Sequence, residues 1–188
     1  MANDLLAGLD EIDFAELTGD WHAQNISWLL RSLAETARTP AAAGYVSGLL
    51  KTELTKDHLV ASDAPPLAAL FVARMAIHHP LPFVRTAALR LFDDLDLCDE
   101  DEDEGDLVHQ VRKWALRDAY AAMRQAEADE DVGSAIHLIA VIEGGSARLH
   151  KQMRRLELHT RSIQTHEAIE AVRQQASRVK VWRADPPG

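Results

Sequence analysis

The chain has 188 residues, 47% apolar and 5% aromatic, with a formal net charge of −10. That length suits one domain with its own core, and the single cysteine, Cys98, excludes an intramolecular disulfide and a cysteine-paired zinc site. No run of about 18 apolar residues is present to span a membrane, and Met1-Ala2-Asn3-Asp4 lacks the basic start of a signal peptide, so the cytoplasm is the expected compartment.

Ala and Leu dominate the apolar set, and both favour helix over strand, so an all-α fold is expected. A short helix is expected around Glu11–Leu17. The first strong one runs from Trp21 to about Ala37, capped by Asp20, with Ile26, Leu29, Leu30, Leu33 and Ala37 on one face. Thr39-Pro40 reads as the start of a helix through Tyr45, Leu49, Leu50 and Leu54, because Pro is tolerated at the first helical position. Beyond Ser62–Pro66, Leu67, Leu70, Phe71, Met75 and Ile77 mark a further helix. His78-His79-Pro80-Leu81-Pro82 breaks the chain, since each Pro disfavours helix in the residue before it. A helix from Phe83 to about Leu95 follows, with Val84, Ala87, Ala88, Leu91 and Leu95 inward.

Residues 93–106 hold ten carboxylates in fourteen positions, a density that reads as a solvated acidic loop or helix fray. Val108, Val111, Ala115, Ala119 and Ala122 then mark a long helix to about Ala128. Another carries Val132, Ile136, Ile139 and Ala140 and ends at Gly144-Gly145; the next carries Leu149, Met153 and Leu156. The last is marked by Ile163, Ala168, Ile169 and Val172. Val179 and Val181 form the one weak strand-like alternation, and the tail from Trp182 to Gly188 is expected to fray. The whole reads as a single helical domain, 1–188, with 1–19 and 183–188 peripheral.

Residues 66–96 resemble a HEAT repeat. The stretch His79-Pro80-Leu81-Pro82-Phe83-Val84-Arg85-Thr86-Ala87-Ala88-Leu89-Arg90-Leu91 follows a first helix with a Pro-containing turn, then Val-Arg opening a second helix rich in Ala and Leu. The resemblance implies antiparallel helix pairs stacked as a short solenoid, and it places Arg85 near the turn, on backbone or a neighbouring acid. Four pairs fit, near 21–55, 64–96, 106–143 and 146–178, spaced close to the HEAT period of about 40–47 residues. An irregular helical bundle is the alternative. Such solenoids imply a curved surface that holds a partner. Some HEAT-like proteins are DNA glycosylases, but the acidic first three pairs lack the basic, aromatic groove that activity needs.

Charge is polarised along the chain. Residues 146–183 carry nine Lys or Arg against Glu157, Glu167 and Glu170, a net of +6, whereas residues 1–145 carry eleven basic and twenty-six acidic residues, a net of −15. The acidic cluster Asp99, Glu100, Asp101, Glu102, Asp103 and Glu104 is the expected dock for a basic partner, with Trp182 as an interface anchor. Trp21, Trp28 and Trp114 are expected inside helix–helix packing. The basic C-terminal stretch lacks interleaved aromatics, which disfavours nucleic acid.

No metal or other cofactor is expected. Asp106 with His109, and His166 with Glu170, share helical faces, but paired Glu-x-x-His motifs are absent. Cys98 sits beside carboxylates that disfavour thiolate. No nucleophile elbow or phosphate loop occurs. The expected function is a non-enzymatic protein-binding module, of the inhibitor or immunity type, that neutralises a basic protein. A self-assembling adaptor and a helical metal-dependent enzyme are the alternatives.

Overall fold

The computed structural model describes residues 5–56, 62–95 and 107–184, with residues 176–184 described as backbone. The described residues are helical and contain no strand. The fold divides into two compact units, Met1–Ala115 and Leu116–Gly188.

The first unit begins with a segment expected at the periphery, which instead supplies core. Leu5, Leu6, Leu9 and Phe14 are buried, and Arg74 Nη1 donates to the Ala7 carbonyl at 2.9 Å. The apolar spacing of these four residues is too irregular to read as a helix face. Helix α1, Phe14–Thr18, starts at Asp13, whose carboxylate accepts from the Ala15 and Glu16 amides. Asp20 caps the 3₁₀ turn Trp21–Ala23, which leads into α2, Gln24–Arg31. Ile26, Leu29, Leu30, Leu33 and Ala37 are all buried, as their spacing requires. After Arg31 the chain widens into a π turn, Ser32–Thr36, closed by the Ala37 amide on the Ser32 carbonyl at 3.0 Å.

Thr39 caps α3, Pro40–Leu54, through its hydroxyl. Helix α4, Ala64–His78, buries Ala64, Ala68, Ala69, Phe71, Val72, Ala73, Met75 and Ala76, whereas Leu67, Leu70 and Ile77 are half-buried. Its small side chains let α5, Pro82–Asp94, approach closely, and α5 also packs on α3. Val84, Ala87, Ala88 and Leu91 point inward, as does Phe92. Asp93 and Asp94, where the expected helix to about Leu95 and the acidic run overlap, belong to α5, and Asp94 pairs with Lys51 at 3.0 Å.

His79 ties these helices together from a buried position. Its Nε2 lies 2.9 Å from the Ala34 carbonyl, and its Nδ1 accepts the Leu81 amide at 3.1 Å. That pairing assigns the neutral tautomer with hydrogen on Nε2. Arg85 Nη1 donates to the His79 carbonyl at 3.1 Å, the turn-bracing position the repeat resemblance implied.

Helix α6, Leu107–Gln125, contains the division between the units. In the second unit, α7, Gly133–Glu143, packs mainly against α9, Ile163–Ala184. Between them in the chain lies α8, Ala147–Glu157, capped by Ser146. Gly133 permits the α7–α9 approach: a Cβ there would lie 3.1 Å from the Gln164 carbonyl oxygen and 3.3 Å from Ala168 Cβ. Ile163 is exposed rather than inward. The buried residue of that turn is Thr165, whose hydroxyl accepts the Val132 amide at 3.1 Å. Val179, Val181 and Trp182 continue α9 rather than forming a strand or a frayed tail. Packed helical hairpins of this kind are compatible with a helical solenoid.

Two stability outcomes follow from these contacts. His79→Ala orphans buried backbone groups, so chemical denaturation should show a loss of about 2–4 kcal/mol. Gly44 and Gly48 of α3 face open space, with nothing within 4 Å of an added Cβ. Gly48→Ala should therefore raise stability by about 0.5–1 kcal/mol, whereas Gly133→Ala should lower it.

Candidate interaction site

The aromatic side chains expected in the core lie at the surface. Trp21 is 70% exposed, Trp28 62% and Tyr45 69%. Trp114 is 38% exposed. Helical geometry explains Trp28. At 100° per residue, Trp28 sits about 150° from the centre of the Ile26–Leu29–Leu30–Leu33 face. Trp21 lies in the 3₁₀ turn that leads into α2 and is exposed there. The relation of Trp28 to the apolar stripe was available in the sequence; its size argued for burial and prevailed.

Around these side chains the surface has a consistent character. Trp21 lies against the His22 ring, with centroids 3.7 Å apart. Helix α1 packs on the turn that carries Trp21, and its Leu17 is also exposed. Asp10, Glu11, Asp13 and Glu16 are exposed on the same N-terminal segment. Arg31, next to Trp28 by helical spacing, pairs with Asp10. Apolar anchors beside carboxylates can desolvate a partner's apolar side chain while attracting its cations.

Asp99, Glu100, Asp101, Glu102, Asp103 and Glu104 lie outside the described residues, as does the side chain of Trp182. Cys98 and Asp106 also fall outside them. His166 and Glu170 are exposed on α9. Among the described residues, no three of His, Cys, Asp and Glu converge as a metal site would require.

The first unit also holds a cleft of about 480 Å³ between α3 and α5, lined by Gly44, Gly48, Phe83, Thr86 and Arg90. The Lys51–Asp94 ion pair also lines it, and both members are half-exposed. The second unit holds a polar cluster that sequence reasoning passed over. Tyr120 is fully buried, and its hydroxyl donates to Glu143 Oε2 at 2.7 Å. Ser146 donates to the same oxygen at 2.7 Å while capping α8. The Arg148 guanidinium lies 3.8 Å from the Tyr120 ring centroid. Burial pushes the Tyr120 hydroxyl up to about 12, so it serves as a fixed donor joining α6 to the α7–α8 turn.

The chain matches no family model, no curated protein and no solved structure.

The raised Tyr120 value sets a pH dependence. The folded state holds this proton more tightly than the unfolded chain, whose tyrosines titrate near pH 10. The contribution is therefore complete below about pH 10 and is lost as pH rises toward about 12. Urea titrations from pH 8 to 11.5 should show a steeper alkaline loss in the native chain than in Tyr120→Phe.

Proposed function

We propose that this chain is a non-enzymatic protein-binding module whose aromatic face captures a basic protein. The observation that carries the reading is the exposure of Trp28 on the well-packed helix α2 and of Trp21 on the turn that leads into it. Large rings held on a rigid helix lose little conformational freedom on binding, and Trp is over-represented among the residues that dominate interface energies. Exposed carboxylates on the preceding segment favour a cationic partner and faster encounter with it.

The finer reading is an inhibitor or immunity-type protein on a HEAT-like scaffold. Its support is the Val84-Arg85 helix opening, the His79–Arg85 turn and the acidic run 93–106. In this reading Asp99–Glu104 steers the partner and the tryptophans anchor it. A basic toxin is the class of partner such a surface would neutralise.

The test is capture from native lysate on immobilised chain, with salt elution and mass spectrometry. The expected result is one stoichiometric basic protein released by salt. Trp28→Ala should weaken its binding by about 2 kcal/mol, near thirtyfold, with the melting temperature unchanged. Charge reversal across Asp99–Glu104 should mainly slow association and flatten its salt dependence. No stoichiometric partner, or a partner indifferent to Trp28→Ala, overturns the reading.

A further inference from the structure

Helix α8 divides cleanly into two faces. Leu149, Met153 and Leu156 are buried, while Arg148, Lys151, Arg154 and Arg155 are exposed. Arg148, Lys151 and Arg155 follow three- and four-residue steps and so form one stripe, with Arg154 beside it. Among the described residues none of these four is in an ion pair. The one acid on the helix, Glu157, is engaged by Arg173 of α9, and those hydrogen bonds hold its carboxyl below the ordinary range.

The stripe leads into a turn that displays apolar side chains. Leu158 is 88% exposed and Ile163 68%, with exposed His159 and Arg161 between them. This turn is well anchored. The Arg161 amide donates to the Ala128 carbonyl, Thr160 Oγ1 reaches the same oxygen at 3.4 Å, and Ser162 Oγ accepts the Thr165 amide at 3.2 Å. Leu158 is therefore presented by fixed backbone.

We propose that the α8 stripe and the Leu158–Ile163 turn dock the acidic segment 93–106 of a second copy of this chain. Charge complementarity and composition select that occupant. The segment carries ten carboxylates, eight of them beyond α5 and enough to match five exposed cations, and it interleaves Leu95 and Leu97 that suit Leu158 and Ile163. The turn carries no Phe, Tyr or Trp for base stacking, which argues against nucleic acid. The proposal is independent of the aromatic face, which belongs to the first unit.

The experiment combines peptide binding with solution mass. A fluorescent peptide of residues 93–106, with serine at the cysteine position, is titrated with full-length chain. Sedimentation then gives the chain's mass at low and high salt. The expected result is peptide binding and a concentration-dependent dimer or chain of copies, both weakened at least about tenfold from 0.05 to 0.5 M salt. Arg154→Glu with Arg155→Glu should abolish both, and Glu100→Lys with Glu102→Lys in a mixed partner should restore association. Circular dichroism checks that each variant folds, and Trp28→Ala should leave association intact.

Peptide binding by a chain that stays monomeric overturns the second copy as occupant. Absence of peptide binding overturns the site, and so does preferential binding of phosphatidylserine vesicles or of a DNA duplex.

Discussion

The first unit depends on one constraint: a helix that ends inside the protein must find partners for its last carbonyls. Helix α2 does not end at solvent. Its π turn and the extended Ala37 leave the Ala34 carbonyl within the core, without the amide that a continuing helix would supply. His79, from the turn between α4 and α5, provides the missing donor, and its other nitrogen takes the Leu81 amide at the start of α5. One imidazole thus satisfies the end of one helix and the beginning of another. Arg85 then braces the His79 carbonyl. Without these bonds the buried backbone would carry unpaired polar groups, and the close packing of α4 against α5 would have to open to water.

Local chemistry was the legible part of the sequence. Asp20 and Thr39-Pro40 were readable as helix starts because a cap acts within three residues of itself. The inward faces of α2 and α5 were readable because helical periodicity selects the same residues wherever the helix packs. Pairings between distant segments were not readable. Nothing local marks His79 as core and His78, its neighbour, as surface; the difference is the Ala34 carbonyl, 45 residues away. Thr165 displaces Ile163 from the interior for a similar reason, since its hydroxyl supplies an acceptor for the α7 entry. The N-terminal leucines are buried although their own spacing forms no stripe, on a segment that Arg74 of α4 holds through the Ala7 carbonyl.

The tryptophans expose a different limit. Size and hydrophobicity argue for burial, since sheltering an indole from water removes a large apolar area. Position on the helix argues otherwise, and position prevailed because α2 already fills its inward face with Ile26, Leu29, Leu30 and Leu33. Turning Trp28 inward would rotate those four side chains outward, a far larger loss of buried area. The exposure of Trp28 is thus enforced by the packing of its own helix. That is the physical basis for treating it as an anchor: it stays at the surface without distorting the fold, available to any partner that can cover it.

Charge separation along the chain gives the surfaces opposite character. Exposed carboxylates lie on the segment that precedes the exposed tryptophans of the first unit, whereas guanidinium and ammonium groups line the outer face of α8. A single exposed ion pair contributes little, about 0.2–1 kcal/mol, so neither surface holds a partner by charge alone. Each also displays apolar side chains, Trp21 and Trp28 on one and Leu158 on the other. Apolar contact provides attraction that salt does not screen, while the charges select the sign of the partner and speed its approach. If both proposed surfaces act as argued, each selects its partner by the sign of its charge, and concentration and ionic strength would set the balance between a basic protein and a second copy.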